Sequence, residues 1–125
     1  MARVLVVEDD VDVGRTVVRM LAHLGHTATL VSGKNALRDA LRDGPDLVLT
    51  DVLMPDVDGF DVVRMTQAAS PKTRLAAMSG GGNWVDLQTC VAMMSQAAMV
   101  PTIAKPFTAN ELRALLASVL AEDPA

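Results

Sequence analysis

Apolar residues follow two rhythms along this chain. The first is a set of short runs: Val4-Leu5-Val6-Val7, Ala28 to Val31, Leu47-Val48-Leu49, Leu75 to Met78, and Thr102-Ile103-Ala104. Continuous runs of this length predict strands covered on both faces. Between them the apolar positions recur three and four apart, the spacing of one helix face. Val13, Val17, Met20, Leu21 and Leu24 make one such stripe, and Ala36, Leu37, Ala40 and Leu41 a shorter one. Val62, Val63 and Met65, after Gly59, suggest a third, and Leu87, Val91 and Met94 a fourth. Leu112, Leu115, Leu116, Val119 and Leu120 form the clearest stripe.

Start and stop signals agree with this reading. Thr108 followed by Glu111 predicts a capping box. Asp58 with Asp61, and Asn83 with Asp86, are weaker forms of the same logic. Gly44-Pro45 and Ser70-Pro71 end the second and third helices. Five strand–helix units with short connections predict a doubly wound α/β sheet with helices on both faces. Proline has no N–H to donate, so Pro101 at the start of the fifth strand places that strand at an edge.

Composition narrows the picture. A chain of 125 residues fits one domain. With 50% hydrophobic and 21% charged residues it is not a disordered chain. A net charge of −4 argues against a nucleic-acid face. The single cysteine, Cys90, leaves no internal disulfide or cysteine-based zinc site and reads as a small buried residue. No apolar run approaches the roughly 20 residues a membrane span needs. The stretch after Met1-Ala2-Arg3 is too short for a secretory signal. These features predict a reduced, cytoplasmic protein.

In open α/β sheets, ligands bind beyond the carboxyl ends of the strands. Glu8-Asp9-Asp10 follow the first strand and Asp51 ends the third. Ser79 and Gly80-Gly81-Gly82 follow the fourth, and Lys105-Pro106 the fifth. Crowded carboxylates repel one another unless a cation neutralises them. An oxygen-only set, with no histidine or cysteine beside it, favours a hard ion such as Mg²⁺. So screened, Asp51 is able to attack phosphorus and form an aspartyl phosphate. Lys105 offers a point charge, and Ser79 a hydroxyl, for phosphoryl oxygens. Asp10 and Asp12 fit better as N-terminal charges of the first helix, and His23 and His26 as groups capping its end. The triple glycine lacks the Gly-x-x-x-x-Gly-Lys-Ser/Thr pattern of a nucleotide loop.

Four pieces of the chain carry a resemblance. They are Val6-Val7-Glu8-Asp9-Asp10, Asp51-Val52-Leu53-Met54-Pro55 with Asp58-Gly59, Met78-Ser79-Gly80, and Lys105-Pro106-Phe107. In this order, each at a strand end, they resemble the receiver domain of two-component response regulators, of the single-domain type. The resemblance implies a flavodoxin-like α/β fold: a doubly wound five-stranded parallel sheet, order 2-1-3-4-5, with five helices. It spans residues 1–121, with a short tail over 122–125.

The same resemblance implies roles. Asp51 is the phosphoacceptor. Asp9 binds Mg²⁺ directly and Glu8 mostly through water, with Asp51 and the Leu53 backbone carbonyl as further ligands. Ser79 is the switch hydroxyl, Lys105 contacts the phosphoryl group, and Lys105-Pro106 is a cis peptide. A histidine kinase or a phosphotransfer protein donates the phosphoryl group. Output passes to a downstream protein partner, the chain being a monomer or weak dimer. Such a protein is not a turnover enzyme, since at most it catalyses its own phosphorylation and dephosphorylation. Met93, Met94 and Met99 are either core or an adaptable partner surface.

The chain also departs from the pattern. Thr102 stands where the family usually places an aromatic switch residue. Leu53 and Gly81 lack the polar groups that often steer a hydrolytic water, which predicts slow self-dephosphorylation. Gly80-Gly81-Gly82 predicts a mobile loop. Two other readings share the fold: a non-phosphorylated interaction module, and a receiver portion of a longer regulator or hybrid kinase. A Mg²⁺-dependent phosphatase ranks last, because Leu53 stands where its second acid belongs.

Overall fold

A computed structural model describes residues 1–52, 59–80 and 100–121. Its strands are β1 (Arg3–Val7), β2 (Thr27–Val31), β3 (Leu47–Asp51), β4 (Arg74–Ser79) and β5 (Thr102–Ala104). The helices among the described residues are α1 (Val11–His23), α2 (Lys34–Leu41), α3 (Gly59–Ala69) and α4 (Ala109–Val119). All strand pairs are parallel, and the order is β2-β1-β3-β4-β5. This is the flavodoxin-like arrangement. The helix expected around Leu87 to Met94, and the tail over 122–125, lie outside the described residues. No helix among the described residues is long and apolar enough to cross a membrane.

Alternation along the central strands builds the two layers. Val4, Val6, Leu47 and Leu49 pack with Val17 and Leu21 of α1 and Leu112 and Leu116 of α4. Leu5, Val7 and Val48 face the other way, onto Leu37 and Leu41 of α2 and Val62 of α3. Every residue of β3, and all of β1 after Arg3, is buried. Burial on both faces does not extend to β2 and β5. Thr27 and Thr29 of β2 and Ala104 of β5 are exposed, because an edge strand has one flank open. Pro101 precedes that edge strand, and its carbonyl accepts from the Ala77 N–H at 2.9 Å.

Capping follows the sequence closely. Asp10 caps α1, its Oδ1 accepting from the N–H groups of Asp12 and Val13 at 3.0 and 3.2 Å. Thr108 and Glu111 form both bonds of the capping box that starts α4. His26 corrects the helix-capping expectation, because its Nδ1 accepts the Ala2 N–H at 3.0 Å and pins the chain start instead. Gly14 carries a role that no sequence pattern revealed. A Cβ there would lie 2.5 Å from Leu30 Cδ1, so any side chain would force Leu30 to shift where α1 packs on β2.

Candidate functional site

The carboxyl ends of β1, β3, β4 and β5 lie side by side. Register pairs Val7 with Thr50, Asp51 with Met78, and Ser79 with Ala104. Residues separated by up to 97 positions in sequence therefore meet at one edge. Glu8 and Asp51 are buried, at 2% and 6% exposure, while Asp9 is open to solvent. One carboxylate oxygen from each of the three lies within 4.8 Å of the others.

Lys105 enters this cluster from the end of β5. Its Nζ donates to Glu8 Oε2 at 3.2 Å and to Asp51 Oδ2 at 3.3 Å. Its backbone N–H donates to the Ser79 carbonyl at 2.6 Å. The Lys105–Pro106 peptide is cis. Asp51 is further oriented by the Val52 N–H, which donates to its Oδ1 at 2.8 Å. The Asp10 N–H donates to Glu8 Oε1 at 3.2 Å.

Charge here is left unbalanced: three carboxylates face one ammonium. Burial first, and the Asp51 charge second, push Glu8 up to about 7, against the pull of the Asp10 N–H and Lys105. Burial alone would push Lys105 down, but Asp51 and Glu8 outweigh it and its ammonium is held above the usual lysine value. The Asp51 part of that push, the smaller one, marks a site short of positive charge. A hard divalent cation on these oxygens would supply it, so the donor set fits Mg²⁺. Leu53, expected as a backbone ligand, lies outside the described residues.

Ser79 closes β4, half-buried and one residue past the partner of Asp51. Thr102 is half-buried at the start of β5 and pairs with Ala77. Gly81, Met93, Met94 and Met99 lie outside the described residues, so neither the expected loop nor the methionine surface is described. Gly80 is a residue whose role sequence reasoning missed. A Cβ on it would stand 2.9 Å from Lys105 Cβ and 3.2 Å from the Lys105 carbonyl oxygen. Its signal, a glycine directly after the strand-end serine, was hidden inside the run Gly80-Gly81-Gly82.

A parallel sheet with an acid cluster and a lysine beyond its carboxyl ends defines a class: open α/β proteins whose ligands bind at the carboxyl ends of the strands. The comparisons name the family. Residues 4–117 match the response regulator receiver domain, and the chain belongs to that family. It is 35% identical over 118 residues to the transcription factor SKN7 of Candida albicans, covering 94% of this chain and 20% of that protein. Identity to the transcriptional regulatory protein PrrA of Mycobacterium tuberculosis is 35% over 119 residues, covering 94% of this chain and 49% of PrrA. The chain thus spans between a fifth and a half of these two relatives. The receiver domain of the Pseudomonas aeruginosa sensor histidine kinase PA1611 superposes with a TM-score of 0.78 at 31% identity. That match covers 97% of this chain and 98% of the other, which has a magnesium ion coordinated in its active-site cleft.

Proposed function

We propose that this receiver domain accepts a phosphoryl group on Asp51 from a histidine kinase or phosphotransfer protein. It then signals in the cytoplasm through a phosphorylation-dependent contact with a downstream protein. The observation that carries this reading is Asp51 itself: buried at the end of β3, oriented by the Val52 N–H, and facing Lys105 at 3.3 Å. In the transfer, an Asp51 carboxylate oxygen donates a lone pair to phosphorus. The phosphorus–nitrogen bond to the donor imidazole breaks, and the departing nitrogen keeps the electron pair. Lys105 would exchange its contacts with the two carboxylates for a phosphoryl oxygen. The Ser79 hydroxyl would donate to another, coupling the new charge to the end of β4.

Glu8, Asp9, Asp51 and the Leu53 carbonyl would hold Mg²⁺, which supplies neutralising charge when bound. Thr102 has no ring to swing, so the switch would run through Ser79 and the backbone of the helix that follows, or through another side chain. The domain is a phosphoacceptor, catalysing at most its own phosphorylation and dephosphorylation.

Intact-mass measurement after incubation with acetyl phosphate tests this. One added phosphoryl group is expected with Mg²⁺, none without it, and none in Asp51→Ala. No uptake by folded wild-type protein would leave the non-phosphorylated interaction module as the reading.

A further inference from the structure

We infer that the opposite edge of the sheet carries a second binding site, for an organic phosphate: an anionic group borne on an apolar body. A cavity of about 920 Å³ opens there, at the amino ends of β1, β3 and β4. The groove beside Lys105 holds about 300 Å³. Sites for small molecules usually fall between roughly 300 and 1,000 Å³.

The walls are tied in place. Thr73 Oγ1 donates to the Pro45 carbonyl at 2.7 Å, and the Arg74 N–H donates to the Asp46 carbonyl at 3.0 Å. His26 holds the Ala2 N–H at 3.0 Å. A cavity framed this way is preformed, so a ligand would not have to order it.

Its charge runs against that of the chain. The protein carries −4 overall, yet Lys72 and Arg74 line this cavity against one carboxylate, Asp46. Asp46 Oδ2 already accepts the Arg3 N–H at 2.8 Å. Neither Lys72 nor Arg74 makes a salt bridge among the described residues. His26 also lines the cavity, its Nδ1 already holding the Ala2 N–H. Pro45, Pro71 and Leu120 supply apolar wall. Cations beside prolines and a leucine match a phosphate attached to a ring better than a free phosphate or a cation. The site is independent of Asp51 chemistry, whose residues lie at the other ends of the same strands.

Amide ¹H–¹⁵N spectra of the full chain, titrated with AMP, test the proposal. AMP is expected to shift the amides of Asp46, Thr73 and Arg74 with a Kd below about 1 mM. Adenosine and inorganic phosphate, titrated separately, should each bind at least about tenfold more weakly. K72Q/R74Q should weaken AMP by a similar factor. K34Q/R38Q, which removes the same charge on α2, should leave the titration unchanged. The proposal is overturned if these amides do not move, or if AMP moves only residues around Glu8 and Asp51. Inorganic phosphate binding as well as AMP would overturn it too, as would K72Q/R74Q or K34Q/R38Q failing to separate. The adenosine and phosphate arms use wild-type protein, so they decide the matter even if K72Q/R74Q does not fold.

Discussion

The two ends of the sheet solve the same problem in opposite ways. At the amino ends, polar groups close on one another, most of them exposed. Arg3 donates its N–H to Asp46 and its Nη2 to the carbonyls of Asp43 and Gly44, while Thr73 is bonded to Pro45 and His26 to Ala2. At the carboxyl ends, three acids cluster, Lys105 is bonded to two of them, Glu8 and Asp51, and Glu8 is driven up to about 7. The same strands therefore carry an amino end whose acid, Asp46, is bonded within the chain and a carboxyl end whose acids outnumber their cation. A polar group satisfied within the chain contributes stability. An electrostatic deficit left open is where a cation and a phosphoryl group gain free energy by binding.

Removing Lys105 should widen the difference most. Lys105→Met leaves Glu8 and Asp51 buried with no counter-charge. Loss of one partner from such a pair costs about 3–5 kcal/mol, towards the low end here because the lysine side chain is 18% exposed. Urea unfolding should show the loss to be larger at pH 8 than at pH 5, where Glu8 is already protonated. Phosphoryl uptake from acetyl phosphate should fall at least about tenfold. Wild-type uptake in this variant would remove Lys105 from the proposed chemistry.

The next largest effect is a pH dependence of unusual sign. Folded Glu8 holds its proton up to about 7, against an ordinary value of 4.5. Between these values the folded state binds the extra proton, so this contribution is complete below pH 4.5 and is lost as pH rises to 7. A carboxylate held below its ordinary value in the folded state behaves in the reverse way. Without Mg²⁺, wild type should lose about 3 kcal/mol over this window relative to Glu8→Gln. Excess Mg²⁺ should flatten the wild-type curve. Parallel curves for wild type and Glu8→Gln would show that Glu8 titrates normally.

Much of the carboxyl-end site is legible in the amino-acid sequence. The continuous runs at Val4 and Leu47 predicted the buried strands, and strand-end acids with Lys105 predicted the cluster, because burial and topology act on residue type directly. Close approach left no such trace. Gly14 and Gly80 matter through atoms they lack, and the neighbours concerned, Leu30 and Lys105, are 16 and 25 positions away. His26 misled for a related reason. A histidine after a helix suggests a cap, while its actual partner, the Ala2 N–H, is set by the α1–β2 connection returning beside β1. The reading of β2 as covered on both faces fails because its run carries Thr29 and the order 2-1-3-4-5 already puts it at an edge, where Thr27 and Thr29 are exposed.

Two buried threonines give the smallest and finest version of the comparison. Thr73, 8% exposed, donates to the Pro45 carbonyl at 2.7 Å and stands beside the Ser70 hydroxyl. Thr66, fully buried in α3, has no hydrogen-bond partner for its Oγ1 among the described residues. Valine matches threonine in shape and differs mainly by the hydroxyl. Thr73→Val should therefore cost about 1–3 kcal/mol, because it leaves Pro45 and Ser70 unpaired. Thr66→Val should cost nothing, or raise stability by up to about 1 kcal/mol, because it removes a buried hydroxyl that gains little, and valine and threonine have similar helix propensities. The urea midpoints of the two variants should thus move apart, in opposite directions or with Thr66→Val unmoved. Equal losses in both would mean that the Thr66 hydroxyl is bonded in solution.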